Sequence, residues 1–362
     1  MKRKLTAAAA LVALSLAAAL PASAAGRCSA EMARRTYPGK DWVMTTPSQA
    51  GWSESGLQAA WDRAGKSFSS GVLIHKGKLV GGFGDTKAPY ETRSMRKAFL
   101  SAVIGQLVEE RKVRLDATLG QLGIDDVTPL TAVEKTATVR DLLTSRSGIY
   151  LPAAYVVQGD EANMPARGSH KPGEAFFYWN WGFNALGGVI EKITGKSVFE
   201  LFETRLARPL GLQDFVRARD TRYVREAVSK YPAYLLDISA RDRARIGLLY
   251  LNQGCWRGRQ VVSPEWVRDS TSPITNQTTD FDYGYLWWSD EAPAGSGLKE
   301  RVFMARGFAN QYILAIPELE TVFVLAVDMS NGEEKLRQGL RPPTRRDYTE
   351  VLGLILKARP GA

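Results

Sequence analysis

Histidine is almost absent from this sequence: His75 and His170 are the two copies in 362 residues. His75 falls in a predicted strand beside Lys76, and His170 in a long polar loop where a lone imidazole is expected to be solvated. Gly-x-Ser-x-Gly is missing, which removes the strand-to-helix elbow that carries a histidine-dependent serine nucleophile. His-Glu-x-x-His and paired-cysteine spacings are missing as well, so no metal site is indicated. Neither usual glycine-rich nucleotide loop occurs. An enzyme built from this chain must activate its nucleophile without histidine or metal, and no cofactor is expected.

Cysteine and long apolar runs are equally scarce. The one run of note, residues 7–20, follows Lys2, Arg3 and Lys4 and leads through Pro21 to Ala22-Ser23-Ala24. That pattern reads as a signal peptide over residues 1–24, too short for a spanning helix of roughly 20 apolar residues. The chain is therefore expected to be exported, to the periplasm or the medium, with no stable membrane insertion after cleavage. Arg27 beside Cys28 argues against a lipid anchor. Cys28 and Cys255, the two cysteines, are either one disulfide in an oxidising compartment or two buried thiols.

Charge of either sign is not concentrated anywhere. The formal charge is +10; three of these charges belong to the first 24 residues, leaving +7 spread along the rest. Export and the lack of a basic block argue against a nucleic-acid partner. With 44% hydrophobic and 24% charged residues, the chain has the composition of a folded globular protein.

Residues 72–75 and 78–80 flank a Lys76-Gly77 turn and predict a hairpin. Helical periodicity follows over 94–110, 139–145, 184–193, 198–207 and 240–251, with a Gly- and Pro-rich loop over 159–173. Beyond about residue 280 the pattern changes to strands over 283–288, 301–304, 311–316 and 321–327, closed by a helix over 347–356. Strands at both ends with a helical middle predict an α/β (α+β) chain, an antiparallel sheet flanked by helices and interrupted by a large all-α insertion. The expected division is residues 25–92 plus 255–362 as the sheet part and 93–254 as the helical part, with an active site between them.

Ser94-Met95-Arg96-Lys97 is a Ser-x-x-Lys at a helix start, and a spacing of three puts both side chains on one face. A lysine losing solvation gives up its proton more readily and can then take the serine's. Ser-x-x-Lys recurs at Ser296–Lys299, in a loop with no helix to align it. Downstream, Tyr178-Trp179-Asn180 precedes a helix. A phenol of lowered pKa there can relay protons, and the Asn180 amide can hold a substrate amide. Phe176, Phe177, Trp179 and Trp181 are candidates for an acyl pocket, of which one or two are expected at the site. Trp287 and Trp288 alternate on a predicted strand, so at most one faces the cleft. Tyr150 and Tyr155 are weaker candidates for its entrance.

Taken in order, Ser94-x-x-Lys97, Leu142-Leu143-Thr144 to Ser147-Gly148, Pro172-Gly173, Tyr178-x-Asn180 and the run from Ala185 to Gly195 resemble the serine β-lactamase-like superfamily. That superfamily includes class C β-lactamases, DD-peptidases, esterases and nylon-oligomer (6-aminohexanoate-dimer) hydrolases. The run 178–184 is closest in style to the esterase and nylon-oligomer-hydrolase branch. The resemblance implies a β-lactamase/DD-peptidase-like fold and an acyl-enzyme on Ser94 with Lys97 and Tyr178 as proton-transfer partners. The substrate implied is a small ester, amide or peptide. It further implies that Ala305-Arg306-Gly307-Phe308 stands where the family carries Lys- or His-Thr-Gly. The N–H groups of Ser94 and Phe308 would then form an oxyanion hole worth roughly 3 kcal/mol per donor. Ala305 replaces a basic residue there, which weakens the case for penicillin handling. Arg306 reads either as a clamp for a substrate carboxylate or as a surface strand residue. A DD-peptidase or β-lactamase, and a catalytically silent envelope-binding protein on the same fold, are the alternatives.

Overall fold

The computed structural model describes residues 26–361 apart from 158, 276–280, 294 and 331–340. The segment read as an export signal lies outside the described residues.

The hairpin around Lys76-Gly77 forms as expected, from β1 (Ser70–His75) and β2 (Lys78–Gly84). The middle of the chain adds strands that the sequence pattern did not announce. β3 (Pro89–Glu91), β4 (Thr221–Val224) and β5 (Ala233–Ser239) make a small sheet in the order β3-β5-β4. β6 (Cys255–Trp256) and β7 (Arg259–Gln260) form a two-stranded ribbon. The C-terminal strands are β8 (Asp282–Tyr283), β9 (Trp288–Asp290), β10 (Val302–Gly307), β11 (Gln311–Ile316) and β12 (Thr321–Ala326). Together with the first hairpin they build one antiparallel sheet in the order β2-β1-β12-β11-β10-β9-β8. The single strand expected over 283–288 is two: Leu286 takes a left-handed φ of 64°, Gly284 N–H donates to the Trp287 carbonyl, and the chain reverses.

Every residue of β1, β11 and β12 is buried, so these central strands are apolar on both faces. One face is covered by the terminal helices, Glu54–Ala64 and Arg345–Lys357, through Leu57, Trp61, Val351 and Ile355. Ser53 caps the first of these helices, and a Thr344/Asp347 capping box starts the second. The other face meets helix Ala240–Leu251. Gly247 allows that contact, since a Cβ there would lie 2.6 Å from the Val322 side chain. Helix Ala240–Leu251, placed by its periodicity with the helical part, thus packs on the sheet. Helical periodicity reveals an apolar stripe but not which partner covers it.

Cys28 and Cys255 are disulfide-bonded across 227 residues, and Gln260 N–H donates to the Gly26 carbonyl beside them. The N-terminal segment is thus clamped to the β6–β7 ribbon. Among the described residues no helix is long and apolar enough to cross a membrane.

Candidate active site

The chain runs from β3 through a 3-10 turn, Arg93–Met95, directly into helix Arg96–Glu109. Thr92 ties this entry to β5 by donating both N–H (2.9 Å) and Oγ1 (2.8 Å) to the Leu236 carbonyl. Arg93 adopts a left-handed φ of 50°, a strained turn immediately before Ser94. The helix is buried from Arg96 to Leu107, so it is enclosed on all sides instead of lying amphipathically on a core. A lysine one turn after Ser94 on such a helix has no route to solvent. Lys97 is 1% exposed.

Its amine is the centre of the site. Lys97 Nζ lies 3.2 Å from Ser94 Oγ, 2.7 Å from Tyr178 Oη and 2.9 Å from Asn180 Oδ1. The Tyr178 and Phe183 ring centroids are 4.2 and 4.1 Å away. Burial pushes the Lys97 pKa well below the ordinary lysine value, the Arg96 cation adds to that, and Asp160 opposes it. Tyr178 moves the other way. Part of its ring reaches solvent, but the phenol is enclosed, and burial raises its pKa against the opposing hydrogen bond to Ser94 and the Arg96 and Arg306 charges. The lowered phenol expected from sequence is thus corrected. Burial thus disfavours the charged form of both groups, the ammonium and the phenolate. A neutral amine donates two hydrogen bonds and accepts one, and Asn180 Oδ1 can only accept. The nitrogen lone pair is left for a hydroxyl proton from Ser94 or Tyr178.

Local backbone explains why Tyr178 faces the amine and its neighbours do not. Phe177 N–H donates to the Ser145 carbonyl (2.8 Å), pinning the segment in front of helix Asn180–Thr194. Trp179 is extended at the helix N-cap, so its side chain points away from that of Tyr178. It is buried, and its indole donates to the Leu151 carbonyl at 2.6 Å. The substrate-side placing of Trp179 is therefore corrected to core packing. Asn180 also differs from expectation: its amide nitrogen donates to the Tyr155 carbonyl (2.6 Å) while its oxygen takes the Lys97 bond. It orients the amine and is engaged on both heteroatoms. Trp181 is fully buried and donates to Asp126 (2.6 Å).

The aromatic wall comes instead from Trp288, whose ring lies 5.3 Å from that of Tyr178, with Tyr283 and Phe176 behind it. Trp287 turns inward onto Tyr250. Tyr155 reaches the site through Glu91 and Arg93: its hydroxyl donates to Glu91 and accepts from Arg93. Tyr150 contacts Phe177 and holds His170 at 3.0 Å. His75 lies 3.1 Å from Thr321 and makes no contact with the Ser94 cluster.

The end of β10 closes the site from the sheet side. A Cβ on Gly307 would lie 2.8 Å from the Thr92 carbonyl oxygen, so glycine lets β10 approach the backbone that leads into Ser94. Ala309 and Asn310 take left-handed φ angles of 63° and 53° and reverse the chain after Phe308. Buried Gln311 then donates to the Phe308 carbonyl (3.3 Å) and the Glu91 carbonyl (3.2 Å), and accepts from Arg243 (2.8 Å). Gln311 was not foreseen, and a lone amide at the head of an apolar strand is the only signal that marks it. The Phe308 side chain is exposed beneath the Arg93 guanidinium. Ala305 is buried toward the helical part and brings no cation. Strand alternation sends Arg306 to the opposite face, where its guanidinium carbon lies 4.1 Å from the Phe281 ring centroid and 5.1 Å from that of Trp288. No carboxylate among the described residues pairs with it. It is neither an open clamp nor a plain surface residue but a cation packed on rings.

The Ser296 hydroxyl is turned into its own loop, accepting from Leu298 N–H at 3.1 Å. Among the described residues no cluster of His, Cys, Asp and Glu could hold a metal ion. A groove of about 490 Å³ beside β2, lined by Trp42, Met44 and Leu79, shares no residue with the Lys97 cluster.

The β-lactamase family model matches residues 72–347. Among solved structures, a Bacillus anthracis protein assigned as a 6-aminohexanoate-dimer hydrolase is similar, with TM-score 0.62, 18% identity, and 89% of this chain and 88% of that one covered. The octameric penicillin-binding protein homologue of Pyrococcus abyssi has TM-score 0.61 and 22% identity, covering 85% and 77%. A D-stereospecific amidohydrolase of a Streptomyces species has TM-score 0.54 and 17% identity, covering 79% and 98%.

Proposed function

The chain belongs to the β-lactamase family, and from that premise we propose that it is an exported serine hydrolase cleaving small esters or amides through an acyl-enzyme on Ser94. The observation that carries this reading is the buried Lys97 amine in contact with Ser94 Oγ, Tyr178 Oη and Asn180 Oδ1 together.

Lys97, held neutral, takes the Ser94 proton as Oγ attacks the substrate carbonyl. Tyr178, bonded to the same nitrogen, passes a proton to the departing alcohol or amine, and Lys97 replaces it. The N–H groups of Ser94 and Phe308 receive the oxyanion, with Gly307 permitting the approach. Water then attacks the acyl-enzyme by the reverse route. The lysine is the base of this scheme because burial disfavours its charged form and equally disfavours phenolate at Tyr178. The names of the B. anthracis and Streptomyces structures favour amides among the substrates. Ala305, which offers a β-lactam carboxylate no cation, disfavours the penicillin-handling alternative.

The test is hydrolysis of a nitrophenyl ester by the chain lacking residues 1–24, beside a folded Ser94→Ala variant. A burst followed by turnover in the parent, both lost in the variant, is expected. Equal turnover by the variant would overturn the reading. A penicillin reporter that acylates Ser94 rapidly would shift the substrate class to cell-wall peptides.

A further inference from the structure

Arg96 precedes the lysine and is also 1% exposed. No carboxylate among the described residues forms an ion pair with it. One nitrogen, Nη1, donates to the Arg93 carbonyl at 3.1 Å, while Nε and Nη2 are buried with no hydrogen-bond partner. The guanidinium carbon instead stands 5.2 Å from the Tyr234 ring centroid and 5.8 Å from that of Tyr155. A buried, unpaired guanidinium is costly, and ring contacts recover only part of that cost.

We propose that Arg96 is a positioning residue that acts by charge: a buried cation beside Lys97 that denies the amine a second positive charge and so keeps it as the base for Ser94. The inference rests on the acyl-enzyme reading above. A positive charge disfavours a second one buried next to it, and guanidinium holds its proton more firmly than ammonium. The lysine is therefore the group that goes neutral. The groups facing Lys97 fit this arrangement. Asn180, Tyr178 and Phe183 supply a carbonyl oxygen, a neutral phenol and a ring, and Asp160 is the acid that opposes the effect. On the far side, Arg96 faces the neutral phenols Tyr155 and Tyr234.

The experiment measures the rate of Ser94 labelling by a fluorophosphonate from pH 5 to 10, followed by intact mass. The parent is compared with Arg96→Met and Arg96→Gln, each checked for folding by its thermal midpoint. Removing the cation is expected to move the acid limb up by about one pH unit or more, so labelling at pH 6 falls roughly tenfold while the alkaline plateau stays within a few-fold. A limb that stays in place while the plateau drops would make Arg96 merely structural and overturn the inference. On the parent itself, the limb should sit at the same pH in low and high salt, because a buried charge is screened little. A limb that moves with salt would place the responsible charges on the surface. Absence of Ser94 labelling in the folded parent would instead overturn the acyl-enzyme reading, and this inference with it.

Discussion

The Lys97 amine lies 2.7 Å from the Tyr178 phenol oxygen, and burial drives their two pKa values apart, the amine down and the phenol up. Burial disfavours the charged form of each, the ammonium and the phenolate. Lys97→Met keeps the length and removes the proposed base. Acylation by a nitrophenyl ester is expected to fall at least 10³-fold with the fold intact, measured by stopped-flow burst rates and circular dichroism. A loss of less than tenfold would remove Lys97 from the proton path.

Tyr178→Phe should cost about 10²-fold with an alkyl ester and less with a nitrophenyl ester, whose leaving group needs no proton. The comparison of the two esters in one variant checks this. Equal losses on both would assign Tyr178 to orienting Lys97 alone.

The pH dependence follows from the signs. Below its depressed pKa Lys97 is protonated and cannot take the Ser94 proton, so activity rises with pH through a limb well under the ordinary lysine value. Tyr178, raised by burial, keeps its proton past the ordinary phenol value, so no alkaline decline is due near pH 10. Stability carries the same sign: between the folded and unfolded lysine values the unfolded chain binds the extra proton, so the folded state gains as pH rises. A kcat/KM profile and urea midpoints across pH 5–9 measure both.

Gly307→Ala should lower kcat by about 10- to 100-fold, since its Cβ would lie 2.8 Å from the Thr92 carbonyl oxygen and force β10 away from Ser94. The thermal midpoint should move by only a few degrees. An unchanged kcat would mean that Phe308 N–H is not an oxyanion donor.

Glu110 closes helix Arg96–Glu109 with a two-pronged pair to Arg205, at 2.7 and 3.0 Å, which holds its carboxyl down to about 2 with help from Lys112. The folded value is depressed, so this contribution is present above the ordinary glutamate range and is lost as pH falls toward about 2. Screened near the surface, it is worth about 1 kcal/mol. Glu110→Gln should reduce stability by that much at pH 7 and by clearly less at pH 2.5, read from urea midpoints.

Much of this site was already present in local order. Ser94 and Lys97 need only one helical turn to share a face, and Tyr178 needs only to precede a helix, so spacing together with predicted helix starts brings them forward as candidates. Strands 311–316 and 321–326 declare themselves by apolar and β-branched runs. The small β3-β5-β4 sheet does not, because three to seven residues carry no periodicity that a helix or loop could not share. Trp179 is a plausible pocket residue in the sequence, next to Tyr178; extended backbone at the helix entry sends Tyr178 to Lys97 and Trp179 to the Leu151 carbonyl. Local sequence thus determined which reactive side chains the chain offers and the order of its parts. Tertiary structure decided the rest: that Asn180 serves Lys97, that Arg306 rests on rings, that Cys28 meets Cys255, and that Arg96 is buried without an acid. Each of these depends on a partner distant in the chain, and pairings of that range are set by which faces the whole sheet and its helices can bury.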